Sequence, residues 1–165
     1  LPHGVPTAIY RQLTETIHSF GGKVFLDTSR MAFQEGLDGL PDWVKPNYEE
    51  AMTVFPSEKS PKKLCELLMQ KGASNVLLSM GADGMFFSSG EVFLHVRVPP
   101  LNVKNPVAAG DAAVAGFLFG FMRQENPVEC AKWAAAFGTA AAASYTNCFQ
   151  SMSTVNFYFE QLKVK

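Results

Sequence analysis

The chain has 165 residues, 47% of them apolar and 18% charged, a composition that can bury a core and excludes an intrinsically disordered segment. With 14 Lys and Arg against 15 Asp and Glu the formal net charge is -1, and no basic run stands anywhere, which removes the electrostatic basis for a nucleic-acid or anionic-membrane partner. The cysteines Cys65, Cys130 and Cys148 lie far apart and are odd in number, so neither a disulfide framework nor a CxxC metal knuckle is expected, and a reducing cytoplasmic setting fits best.

The opening segment Leu1-Pro2-His3-Gly4-Val5-Pro6 is a Pro/Gly loop without an initiator Met, so the chain reads as a piece of something longer. Beyond it, Ile9, Leu13, Ile17 and Phe20 keep a helical spacing between Thr7 and Gly21-Gly22, which predicts an amphipathic helix. Lys23-Val24-Phe25-Leu26-Asp27 is a short apolar strand that ends on a carboxylate, and residues 31–37 form a second helix. Trp43-Val44-Lys45 is a strand closed by Pro46, followed by a short helix over residues 48–55 with acidic residues in its first turn. Ser60-Pro61 caps a helix that runs to Lys71-Gly72, and residues 75–79 make a buried-type strand.

Gly81-Ala82-Asp83-Gly84 is a tight turn into Met85-Phe86-Phe87, and Ser89-Gly90 turns into the alternating strand of residues 92–98, which together predict an antiparallel meander. Residues 99–109 are loop, and residues 110–121, 128–145 and 154–162 are three helices. The most apolar stretch, residues 131–144, contains Lys132 and is too short to cross a bilayer, and no basic-then-apolar leader opens the chain. Strands alternating with helices imply a largely parallel sheet covered by helices, with ligands gathering at strand carboxyl ends and helix amino termini.

Three segments can do chemistry at such places. Asn105-Pro106-Val107-Ala108-Ala109-Gly110-Asp111 puts small residues directly before a long apolar helix, where amides without intrahelical partners form an anion cradle. Spacing alone reads Asp111 first as an ordinary helix-start carboxylate and only second as a reacting group. Asn47 and Glu50, three apart at a helix start, could hold a hydrated Mg2+ or simply form a capping box. Ser79-Met80-Gly81-Ala82-Asp83-Gly84 is a hairpin turn on its own terms. The many alanines of residues 131–144 allow close helix packing. The chain contains no Gly-x-x-x-x-Gly-Lys-Ser/Thr, no Gly-x-Gly-x-x-Gly and no His-Arg-Asp set.

In order, Leu1-Pro2-His3-Gly4-Val5-Pro6, Leu26-Asp27-Thr28-Ser29, Lys45-Pro46-Asn47-Tyr48-Glu49-Glu50, Leu78-Ser79-Met80-Gly81-Ala82-Asp83-Gly84 and the stretch from Asn105 to Phe117 resemble the PfkB, or ribokinase-like, carbohydrate kinases. The details are most similar to the branch with 1-phosphofructokinase, tagatose-6-phosphate kinase and the minor 6-phosphofructokinase. The resemblance implies a three-layer α/β/α fold, with a mostly parallel central sheet and antiparallel edge strands. Residues 1–165 would be its carboxy-terminal, ATP-binding and catalytic part, without the amino-terminal half and its lid.

It further implies ATP-dependent phosphorylation of fructose 1-phosphate, fructose 6-phosphate or tagatose 6-phosphate. Asp111 would be the general base and Ala108, Ala109 and Gly110 the anion hole. Ser79, Gly81, Gly84 and Asn147 would line the nucleotide, and Asn47 and Glu50 would hold Mg2+ through water. The alanine-rich helix would wall the adenine. The full-length protein would be a homodimer, and this piece alone would have little kinase activity. The chain departs from the family at Ala108, where glycine is general, and at Arg30, where a small residue is usual. A non-catalytic nucleotide-binding or structural fragment is the alternative that Ala108 keeps open.

Overall fold

The structure, a computed structural model, describes residues 1–90 and 92–165. The chain divides into two compact units, Leu1–Ser79 with Phe86–Phe93, and Met80–Met85 with Leu94–Lys165.

In the first unit, α1 (Ile9–Ser19), β1 (Phe25–Leu26), α2 (Arg30–Leu37), β2 (Trp43–Val44), α3 (Tyr48–Val54), α4 (Pro61–Gln70) and β3 (Asn75–Ser79) alternate as the sequence predicts. β1 and β2 run parallel with Phe25 opposite Trp43, and β2 and β3 run parallel with Val44 opposite Val76. Val44, Val76, Leu77 and Leu78 are fully buried, the continuous apolar pattern that a parallel strand covered on both faces requires. Ser60 accepts from the Lys63 amide and Pro61 takes the first helical position, so α4 starts where capping chemistry places it, and it buries Leu64, Cys65 and Leu68.

The first helix departs from its apolar pattern. α1 buries Thr14, whereas Leu13, Ile17 and Phe20 are 47%, 39% and 87% exposed. A side chain added at Gly39 would meet Thr14 Cβ at 3.0 Å and the Arg11 backbone at 3.2 Å, so this face of α1 comes close to the chain. Thr14 suits that approach because it is small and its hydroxyl donates to the Tyr10 carbonyl at 2.7 Å, which removes the cost of burying it.

β4 (Met85–Ser89) and β5 (Val92–Arg97) follow, then in the second unit α5 (Ala109–Met122), α6 (Pro127–Ala142), α7 (Met152–Gln161) and β6 (Lys163–Val164). Within the first unit the strands take the order β1-β2-β3. β6 pairs antiparallel with β5, Val96 opposite Val164. Its two residues are too few for a periodic signal, and the sequence reading does not contain it.

α5 is apolar around its whole circumference and packs on α6 through glycines. A Cβ at Gly116 would lie 2.5 Å from the Trp133 carbonyl oxygen, and one at Gly120 would lie 3.1 Å from Cys130 Cα. Asn126 caps α6 by accepting from the Val128 and Glu129 amides. Phe137 and Val155 anchor the α6–α7 contact, with Phe119, Trp133, Phe149 and Phe159 around them. The rings of Trp133 and Phe159 stack with centroids 4.0 Å apart. None of the described helices is long and apolar enough to cross a membrane.

Candidate functional site

In the second unit, the segment from Lys104 to Asp111 enters α5 by a left-handed step. Ala108 is the residue before the helix, with φ 61° and ψ 4°. A residue with a Cβ pays about 1–2 kcal/mol for that conformation, and the glycine usual in the resembling family would not. The Ala109 amide bonds to Pro106 O at 3.3 Å and the Ala112 amide to Ala108 O at 2.9 Å. Helix geometry leaves the intervening Gly110 and Asp111 amides without intrahelical acceptors, at the positive end of the α5 dipole.

The Asp111 carboxylate stands in this first turn, solvent-exposed and engaged in no hydrogen bond or ion pair within the described residues. Donors for an anion and an open carboxylate are therefore adjacent in one turn of helix. On the α6 side, a Cβ at Gly138 would come within 3.1 Å of Ala109 O, so α6 lies close under the start of α5. The alanine-rich helix thus does what its composition predicts, allowing close backbone approach.

Asn147 lies in the turn after α6. Its Oδ1 accepts from Asn105 Nδ2 at 2.8 Å, while Asn105 Oδ1 accepts from the Val107 amide at 3.0 Å. Gly81 and Gly84 bound a short 3-10 turn, Gly81–Asp83, closed by the Met80 amide donating to Gly84 O at 2.8 Å. Gly84 has φ 91° and a Cβ there would fall 2.2 Å from Val96 O, so it is first of all a turn residue. At Gly81, with φ 58°, a Cβ would meet nothing within 4 Å, which leaves open space beside the backbone. His95 Nε2 lies 2.6 Å from Asp83 O and pins the turn to β5.

In the first unit, Asn47, Glu50 and Ser79 come together at the carboxyl ends of β2 and β3. The Ser79 amide donates to Pro46 O at 3.0 Å, its hydroxyl reaches the same oxygen at 3.4 Å, and Asn47 bridges Ser79 in parallel. Asn47 Oδ1 accepts from the Glu50 amide at 2.8 Å and Glu50 Oε2 accepts from the Asn47 amide at 2.9 Å, a complete capping box. The capping reading of this pair therefore holds, and it occupies one oxygen of each side chain. Glu50 Oε1 remains for a hydrated cation. Among the described residues no cluster of three His, Cys, Asp or Glu side chains could hold a metal ion directly.

Two further residues here have no role in the sequence reading. The Lys45 side chain, 7% exposed, has its ammonium 3.3 Å from Asp27 Oδ2, at the ends of β2 and β1. A buried ammonium needs such a partner, and the pair fixes the Lys45 side chain two residues before Asn47. Its traces in the sequence were the Lys-Pro-Asn tripeptide and a carboxylate at a strand end. The described chain also holds a cavity of about 510 Å³ lined by Arg97, Pro99, Pro100, Glu160 and Lys163 among others. It contains none of the expected site residues. Burial pushes the Cys65 thiol up to about 12 and the Cys130 thiol up to about 11, so neither is a nucleophile at neutral pH.

Residues 1–154 match the profile of the pfkB family carbohydrate kinases. Among solved structures, a Staphylococcus aureus protein assigned as a phosphofructokinase is similar over 100% of this chain and 55% of its own, at 26% identity and a TM-score of 0.90. Phosphofructokinase-2 from Escherichia coli, in complex with fructose-6-phosphate, is similar over 98% of this chain and 53% of its own, at 23% identity and a TM-score of 0.86. A Thermotoga maritima protein assigned as a 1-phosphofructokinase matches 100% of this chain and 54% of its own, at 21% identity and a TM-score of 0.88. The chain spans about half the length of these structures. Since the family profile runs through every segment from which the site is built, the loop before α5 included, the chain belongs to the PfkB family of carbohydrate kinases.

Proposed function

We propose that this chain is the nucleotide-side, base-bearing part of a kinase that transfers the γ-phosphoryl group of ATP to a hydroxyl of a phosphorylated sugar. The observation that supports this most is the first turn of α5, where an exposed, unengaged Asp111 carboxylate adjoins the Gly110 and Asp111 amides. Asp111 accepts the proton of the sugar hydroxyl as its oxygen bonds to the γ-phosphorus. The bond from that phosphorus to the β,γ-bridging oxygen breaks, and ADP leaves with the electron pair.

The α5 amides, with the positive end of the helix, offset charge on the equatorial oxygens during transfer, and Gly81 lets backbone approach the phosphate chain. Ser79 and the Asn47–Glu50 box act on the nucleotide side, Glu50 through water. Mg2+, when bound there, shields the phosphate charges. Fructose 1-phosphate, fructose 6-phosphate and tagatose 6-phosphate are the substrate candidates, and the phosphofructokinase names of two similar structures favour the first two.

Calorimetric titration of the chain with ATP and Mg2+ tests this reading. A saturable heat that Asp111→Asn preserves is expected, while in the full-length protein the same substitution lowers kcat by about 100-fold or more. A chain that binds no nucleotide overturns the proposal and leaves a structural fragment, part of the alternative that Ala108 keeps open. Retained turnover in the Asp111→Asn enzyme removes the base assignment alone.

A further inference from the structure

We infer that Asn147 is a positioning residue for the anion-binding turn, acting through Asn105 and not as a nucleotide ligand; this rests on the proposed function of that turn. The orientation of the Asn105 carboxamide is decided by its neighbours. A backbone amide only donates, so the Val107 amide fixes which end of the Asn105 side chain is oxygen. Nδ2 must then face Asn147, and Asn147 must present its oxygen, as the 2.8 Å contact requires. Among the described residues, the one acceptor that this amino group meets is thus a side chain 42 residues away.

Other contacts fasten the same two segments. The Lys104 and Asn105 amides both donate to Ala142 O, at 2.9 and 3.2 Å, and Lys104 Nζ lies 5.3 Å over the Tyr145 ring. The turn bearing Asn147 is itself fixed: the Thr146 amide bonds to Ser144 Oγ at 3.2 Å, and Thr146 Oγ1 donates to Cys148 O at 2.9 Å. Asn147 is therefore a set point, Asn105 reads it, and the Val107 amide is held one residue before the left-handed step at Ala108. Strained backbone of that kind persists when its surroundings over-determine it. Without the clamp the loop relaxes at Ala108, and the Gly110 and Asp111 amides lose their common aim.

Hydrogen exchange and phosphate titration of the 15N-labelled chain test this. Asn147→Leu, with Asn147→Ala as a second variant, should speed Val107 amide exchange about five- to tenfold, the loss of one such bond. It should weaken inorganic phosphate, followed at the Gly110 and Asp111 amides, by a similar factor, with the thermal midpoint little moved. Asn147→Asp keeps the acceptor and should retain slow Val107 exchange. Unchanged Val107 exchange in both apolar variants overturns the inference. So does weaker binding of Mg·ATP without faster exchange in the free chain, which would make Asn147 a ligand. If wild-type Gly110 and Asp111 amides respond to neither phosphate nor Mg·ATP, the proposed function fails, while the exchange rates still decide the clamp.

Discussion

Single residues set the quality of the candidate site, and Ala108 most of all. The two positions where the sequence departs from its family's small residues, Arg30 and Ala108, both adopt left-handed backbone, with φ of 60° and 61°. Leu40 and Gln124 adopt the same left-handed backbone, with φ of 60° and 59°, without any such mark in the sequence. Replacing Ala108 with glycine removes the Cβ penalty from the folded state but frees the unfolded chain, so the net gain in stability is about 1 kcal/mol or less. The same change removes the Cβ that stands directly before the helix start. Ala108→Gly is therefore expected to raise the urea midpoint slightly and to tighten Mg·ATP severalfold by calorimetry. If neither quantity moves, the Cβ neither strains the loop nor obstructs the phosphate.

Between elements of the second unit, α5 comes close to α6 through glycines. Glycine to alanine inside a helix ordinarily gains about 1 kcal/mol. At Gly116 the sign reverses, because the new Cβ would sit 2.5 Å from the Trp133 carbonyl oxygen and 2.8 Å from Phe137 Cβ, and backbone cannot swing aside. Gly116→Ala should cost about 1–3 kcal/mol in urea denaturation. Gly138→Ala, whose nearest contact is 3.1 Å, should cost less; equal losses at the two sites would mean that helix separation is not what these glycines set.

This packing was legible in the alanine content of residues 131–144, as was the helix start at Ser60-Pro61, since caps and periodicity are local signals. The facing of α1 was not, because Thr14 becomes a good buried residue only once Gly39 brings the chain against it. Lys45 was likewise opaque: a lysine reads as surface until Asp27, from another strand, stands 3.3 Å away. Asn47 and Glu50 were legible as a pair but not as a choice between cap and cation site, since one geometry serves both.

For the molecule as a whole, acid protonates carboxylates that the folded state holds ionised, so those with the most partners shape how stability changes with pH. Asp42 is the best placed of them. Its carboxylate accepts from Lys23 Nζ at 2.7 Å, the Val24 amide at 2.9 Å and His18 Nε2 at 3.0 Å, and its carbonyl accepts from Asn75 Nδ2 at 2.7 Å. It ties together the amino ends of all three parallel strands of the first unit. Partial burial pushes this carboxyl up, but the hydrogen bonds from Lys23, Val24 and His18, with the Lys23 charge, outweigh it and hold the group below its ordinary 3.8. The native state then binds the proton less readily than the unfolded chain. The contribution to stability is complete above the ordinary value and is lost as pH falls through the depressed one. Urea denaturation of the wild type and Asp42→Asn, from about pH 7 down to about pH 2.5, should give a constant stability difference above about pH 5 that narrows once the pH drops below 3.8. The carboxamide of that variant keeps an acceptor for the Val24 amide, so the difference isolates the charge. A gap that stays constant to the lowest pH would show that Asp42 holds the strand ends by hydrogen bonding alone.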